Sequence, residues 1–318
     1  MNRNIKKAVT AILGVVILLL SVTLLSYSLM FLAPGDPAET ILRAGGNMPS
    51  EAEIIAKRHE MGLDQPFIKQ YARWLSGFVR GDLGVSMVDG TNVTKELMKG
   101  LKFSAWLSVL SLAVGVVVAI PTGIYSAVKR NGWLDRITNF IVFLRLSMPA
   151  FLVGLGFLYV FAYRMKLVSI VSNGAGFKGV VLPVATLATG IACRMIRQIR
   201  TAVSDELKAP YVDGIRSRGI SEQDILFKHV LKNTMLPIVT LIALSFGSLL
   251  GGTAVTEIIF SYPGIGSMAI TAISARDYTK IQGFVVMISL IFCFIYYLTE
   301  LSYGVFDPRL RKKEGRKG

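Results

Sequence analysis

Six long apolar stretches separated by polar segments of unequal length organise the chain: about 8 to 33, 103 to 127, 138 to 163, 180 to 199, 236 to 260 and 282 to 305. Each exceeds the ~18 residues that distinguish a membrane-crossing helix from a buried core helix, and each spans the ~30 Å hydrocarbon layer. The pattern predicts an all-α integral membrane protein in which residues 1–318 form a single transmembrane domain. Arg3, Lys6 and Lys7 precede the first stretch, as in a signal peptide. That stretch is far longer than a 7 to 15 residue signal core and is expected to be retained.

Breaks within the stretches are as informative as the stretches. Pro121, Pro183 and the run Ser147, Met148, Pro149 fall inside the second, fourth and third spans. Proline removes a backbone donor and bends a helix, so three bent helices are expected around a shared centre, as an opening and closing path requires. The fifth span carries Gly247, Gly251 and Gly252 with Ser245 and Ser248 nearby. A stripe of small residues either lets helices approach closely or lines a passage for a hydrated solute.

Two polar segments are long enough for structure of their own. The first, 34–102, reads as a helix from 49 to 71 broken at Gly62 and Pro66, with a second amphipathic piece from 67 to 78. There Phe67, Tyr71, Trp74, Leu75 and Phe78 recur at helical spacing and would lie on the membrane surface or cover the mouth of a path. The second, 203–235, contains YVDGIRSRGISEQDILFKHVLKNTMLP. Gly219 is placed to take the left-handed conformation that closes a helix, and Ser221 with Asp224 has capping-box spacing, so two short helices joined at a sharp turn are expected. A rigid hairpin between membrane spans, with no chemistry of its own, suits a subunit that another protein pushes.

Charge sets orientation. With the N-terminus inside, segments 1–7, 128–136, 194–235 and 306–318 hold 20 of the 35 Lys and Arg residues, whereas 34–102 holds nine, matched by nine Asp and Glu. The positive-inside rule then places both termini in the cytoplasm, with the basic tail Arg309, Arg311, Lys312, Lys313, Arg316 and Lys317 against anionic lipid rather than nucleic acid.

Candidate chemistry is sparse. The sequence has no GxxxxGK[ST], HExxH or GxSxG pattern, so neither ATP hydrolysis nor peptide cleavage is expected of it. The two histidines, His59 and His229, fall in different compartments, and Cys193 and Cys293 lack ligand spacing, so no metal site is expected. Intramembrane charges are Arg145, Arg194, Glu257 and Glu300. Arg194 and Arg197 are expected to snorkel to headgroups. Glu257, near the outer end of the glycine-striped span, is either a gate or cation contact or a cap that holds the outer turn.

Several segments, in order, resemble the peptide and nickel class of binding-protein-dependent ABC importer permeases, first subunit. They are APGDPA (33–38), GLDQP (62–66) followed by QYARWL, GDLGVS (81–86), SMP (147–149), GGTAVTEIIFSYPGIG (251–266), ARDY (275–278) and DPRLR (307–311). The resemblance covers nearly the whole chain. It implies the type I ABC importer permease fold with six transmembrane helices and a large outer loop after the first. In the coupling-loop pattern of that family, Asp213, Gly214 and Ile215 stand at the EAA position, Gly219 is the glycine, and Leu236 and Pro237 form the closing pair. Asp213, Gly214 and Ile215 depart from the EAA pattern, and the turn at Gly219 is the expected contact.

The resemblance further implies a second permease, two ATP-binding subunits and an external solute-binding protein as partners, with ATP and magnesium bound in those subunits and no cofactor here. Candidate path or gate residues are Ser147, Met148, Pro149, Ser248, Gly251, Gly252 and Glu257, and candidate coupling residues add Ser221 and Asp224 to those of the hairpin. For the solute, LSMPAF and DPRLRKKEG lean toward nickel or a nickel chelate, with di- or oligopeptides as the alternative. A self-sufficient secondary transporter is the competing class; it would carry internal repeats and a buried charge relay, neither of which is evident.

Overall fold

The computed structural model describes residues 3–32, 35–44, 48–168 and 177–306. The basic tail, the DPRLR segment, Ala33 and Pro34 lie outside the described residues, and Glu300 is described by its backbone alone. All elements named below are helices; the described residues add one isolated bridge, Val85 with Asn92. The chain divides into two compact units, Met1–Phe103 with Pro263–Phe294, and Ser104–Tyr262 with Ile295–Gly318.

The first unit contains α1 (Arg3–Leu32), α2 (Pro37–Ala44), α3 (Glu51–Met61), α4 (Phe67–Val79), the start of α5 (Val93–Val128), α13 (Ile265–Ser274) and most of α14 (Tyr278–Phe306). Local chemistry fixes the ends of α3. The Ser50 hydroxyl accepts from the Glu53 amide while the Glu53 side chain bonds back to the Ser50 amide, and Gly62, at φ 67°, closes the helix. Pro66 then starts α4, as the break at Gly62 and Pro66 predicts. One face of α4 is a ladder of rings: Phe67, Tyr71, Trp74 and Phe78 stack in sequence, and Tyr27 of α1 meets the first three. The amphipathic piece is therefore bound to the first span through aromatic contacts.

The second unit comprises the rest of α5, α6 (Trp133–Ser147), α7 (Ala150–Phe157), α8 (Phe177–Glu206), α9 (Pro210–Arg216), α10 (Glu222–Asp224), α11 (Leu231–Gly252) and α12 (Ala254–Ile259). Its core surrounds α8, where Ile191, Met195, Ile199 and Val203 are buried. Gly115 and Gly123 of α5 let that helix lie directly on α8: a Cβ on Gly123 would sit 2.9 Å from Ile199.

Three expectations about the spans need correction. The predicted third span is not one bent helix but two, Trp133–Ser147 and Ala150–Arg164, meeting at 103°. Pro149 lacks an amide proton and forces Met148 into extended backbone (φ −96°, ψ 130°), so α6 cannot propagate through it. The predicted fifth span starts earlier, running as Glu222–Leu249, and ends sooner; Glu257 belongs to the separate helix α12 beyond Thr253. The helix that carries the second span begins at Val93, ten residues before the predicted start of the span. Pro121, Pro183 and Pro237 are accommodated inside continuous helices. The short helices α2 and α13 were not anticipated.

Candidate functional site: the hairpin and the helix-break cavity

The hairpin is built from α9, the Gly219 turn and α10. Gly219 adopts φ 78°, a conformation costly for any residue with a Cβ, and the space around it is open. Ser221 caps the second arm by accepting from the Asp224 amide at 3.2 Å, while the Asp224 carboxylate meets Lys228 at 2.8 Å. That second arm is not a free-standing short helix. It passes through a π-helical turn, Ile225–Val230, straight into α11, so the hairpin and the fifth span are one continuous element. Leu236 and Pro237, expected to close the hairpin, lie within α11.

Three apolar residues, Val212, Ile225 and Val230, seat the hairpin in the α8-centred core with no exposed surface. Three polar connections stiffen it. Arg216 Nη1 donates to Asp213 at 2.7 Å, and the same guanidinium crosses the turn to Glu222. At the base, the Glu206 carboxylate accepts from the Tyr211 hydroxyl at 2.6 Å and from the Asn233 amide at 2.8 Å, tying the end of α8 to both arms. Further along α8, Arg200 binds Asp135 of α6 in a fork, at 2.7 and 2.8 Å, where the carboxylate is almost fully buried and also accepts from the Asn131 amide and from Asn139. These contacts tie the hairpin to α8, α11 and α6. Of the predicted coupling residues, Gly214 and Ile215 lie on α9; Gly214 faces open space, and Ile215 packs on the core.

The 103° break between α6 and α7 opens a cavity of about 540 Å³ in the same unit. Its walls are mostly apolar and come from α5, α6, α7 and α8. Met148 lines it, while Ser147 and Pro149 are exposed beside it. Arg145 is the one charged lining residue. Its guanidinium rests on the backbone of α8, where Gly190 leaves room; a Cβ there would lie 2.9 Å from Nη2. It donates to Thr189 Oγ1 at 3.1 Å, to the Thr186 carbonyl at 3.1 Å and to the Met148 carbonyl at 3.4 Å.

Glu257 lies apart from that cavity and is fully buried. The hydroxyls of Ser104 and Thr253 donate to its Oε1 at 2.6 and 2.7 Å, and Ser261, at φ 50°, ends the helix one turn later with the Tyr262 amide bonded to the Glu257 carbonyl. This geometry matches a cap that holds α12 rather than a group open to solvent. Ser248 and Gly252 are exposed on α11, and the Ser248 hydroxyl bonds back to the Ser245 carbonyl, whereas Gly251 is placed only as part of that helix.

In the first unit, the family-like segments GDLGVS and ARDY prove to be one construction. Asp277 opens α14 by accepting from the Lys280 amide and also receives the Ser86 hydroxyl at 2.5 Å. The Lys280 ammonium meets Asp89 at 2.6 Å and Glu96 at 2.7 Å. Partial burial opposes ionisation of Asp89, but the bonds from Lys280 and Thr91 outweigh it and hold the carboxyl well below the usual range.

Sequence reasoning missed Arg216 with Glu222, the Glu206, Tyr211 and Asn233 tie, and Asp135 with Arg200. Arg216 with Glu222, six apart, and Glu206 with Tyr211, five apart, are close enough in sequence to have been read, but neither falls on a helical repeat. The role of Asp277 was legible, because an Asp before an apolar run is an N-cap signal.

Comparison with known proteins follows the same outline. Residues 119–312 match the family described as binding-protein-dependent transport system inner membrane component, and residues 4–105 match its N-terminal companion. The chain is 36% identical over 302 residues to a protein of Pectobacterium atrosepticum named glutathione transport system permease protein GsiC, covering 95% of this chain and 97% of that one. It is 34% identical over 303 residues to the protein of the same name in Escherichia coli strain K12, with the same coverage. Among solved structures, a MetNI methionine ABC transporter chain aligns with a TM-score of 0.56 at 17% identity, covering 66% of this chain and 96% of that one. A chain of an amino acid ABC transporter aligns at 0.55 and 14%, covering 65% and 92%. These two share the fold. The chain belongs to the binding-protein-dependent transport system inner membrane components, as a multi-pass permease of an ABC importer with the type I permease fold.

Proposed function

We propose that this permease passes a peptide-like solute of the glutathione or short-peptide class across the cytoplasmic membrane, driven by ATP hydrolysed in partner subunits. The likeness to glutathione permeases over 95% of the chain carries the choice of solute. It moves the weight from nickel, toward which two short segments leaned, to the peptide alternative. The partners are a second permease, two ATP-binding subunits that carry ATP and magnesium, and an external binding protein. Both termini and the 203–235 hairpin face the cytoplasm.

The mechanism rests on the hairpin. An ATP-binding subunit seats the Gly219 tip, where Ile220 is 38% and Phe227 66% exposed. Closure of the two ATPases displaces the tip. Because Val212, Ile225 and Val230 leave no slack and Arg200 ties α8 to α6, the displacement reaches the helices that form the path. Nothing in this step needs chemistry from the permease. The test is uptake by proteoliposomes holding the full importer and its loaded binding protein. ATP-dependent accumulation of labelled glutathione or a short peptide is expected; accumulation of nickel alone would replace the solute assignment.

A further inference from the structure

We infer that Arg145 is a carboxylate-recognition residue in the path, gripping an acidic group of the solute within the cavity at the helix break. The inference deepens the proposed function and rests on it for the identity of the solute. The cavity, at about 540 Å³, falls within the range of small-molecule sites, and its walls supply apolar contact around a single cation. That cation has no counter-charge: among the described residues, no Asp or Glu oxygen reaches Arg145 within salt-bridge distance. Its three partners are neutral oxygens of Thr189, Thr186 and Met148.

An arginine carries five N–H donors, and these three bonds use one on each nitrogen. One N–H on each terminal nitrogen is left to donate to a carboxylate. These donors are also pre-set. Gly190 admits the guanidinium onto α8, and the carbonyl bonds hold its plane before any ligand arrives. An uncompensated cation inside a membrane protein is expensive unless something pairs with it. A lipid headgroup is a poor candidate, because Arg145 lies about 18 Å of helix beyond Trp133. A peptide carboxylate fits both the charge and the volume. A carboxylate from the second permease is the competing partner.

The experiment uses the detergent-solubilised complex of both permeases and both ATP-binding subunits, without the binding protein, so that the readout reports the membrane path. Thermal stability is measured with glutathione and short peptides, and with the same peptides amidated at the carboxyl ends. Stabilisation by the acids but not the amides, lost in Arg145→Gln and partly kept in Arg145→Lys, is the expected result, with an apparent affinity loss of about ten-fold or more. Equal response to acids and amides, or an Arg145→Gln complex that still discriminates, overturns it. An Arg145→Gln complex that falls apart into single permeases also overturns it, by assigning the charge to the partner. Uptake is measured separately: acid-selective stabilisation without peptide uptake would fail the functional reading alone, whereas uptake indifferent to Arg145 would fail this inference alone.

Discussion

Arg216 spans the Gly219 turn to reach Glu222, with Nη2 3.2 Å from Oε2, while its other terminal nitrogen holds Asp213 of its own helix. One guanidinium thus closes both arms of the hairpin around a tip where a Cβ on Gly219 would meet open space among the described residues. A loop transmits displacement only if it is stiffer than its seat. This bracing, with the apolar anchors beneath it, is what the proposed lever role requires of the segment.

The tip conformation is the first point to test. Gly219→Val places a β-branched residue at φ 78°, at a cost of about 1–2 kcal/mol, where a Cβ meets open space among the described residues. Transport should fall strongly while membrane insertion stays normal. Gly219→Asn, which tolerates the left-handed region, should retain more transport than Val; uptake assays on matched protein levels decide it.

The link between α6 and α8 should be costly to break from one side. Asp135→Ala leaves Arg200 without its carboxylate, and Arg200→Ala leaves a nearly buried anion, so either should lower stability by about 3 kcal/mol or more. The double variant should cost less than the sum of the two. Thermal unfolding in detergent measures all three.

Acid should loosen the segment around Asp89 in a defined window. A carboxyl held below its ordinary value stabilises the folded state at any pH above about 3.9, and that contribution shrinks as pH falls toward the folded value. Asp89→Asn should therefore be less stable than wild type at pH 7, and the gap should narrow below about pH 4. Because Asp89 is nearly half exposed, the effect at neutral pH should be small.

Glu257 separates cap from gate. Glu257→Ala strands the Ser104 and Thr253 hydroxyls in the core and should cost about 1–3 kcal/mol for each lost acceptor bond. Glu257→Gln keeps an acceptor oxygen and should transport in proportion to its folded amount. Loss of uptake by a normally stable Glu257→Gln protein would make it a gate.

How much of this was legible follows from the range of each signal. Hydropathy runs report local burial in lipid, so all six apolar stretches were visible. Turn chemistry is equally local: Gly62, Pro66 and Gly219 marked their breaks before any coordinates did. Pro149 announced a bend, but not a 103° break, because the size of the angle depends on what α7 packs against, including the Phe260 ring against Gly154. Glu257 was misplaced on the fifth span since nothing local distinguishes Thr253 as the start of a new helix. The bond between Asp135 and Arg200 joins residues 65 apart, and no periodicity carries such a pairing. Arg145 stood out as an intramembrane charge, yet that no carboxylate among the described residues pairs with it depends on packing between α6 and α8, which no local signal carries.

The most direct test of the lever places a photo-crosslinking residue at Ile220 in the assembled importer, with a second at Gly90 as control. The account predicts that Ile220 captures an ATP-binding subunit and that Gly90 does not. Capture of an ATP-binding subunit from Gly90, with none from Ile220, would contradict it.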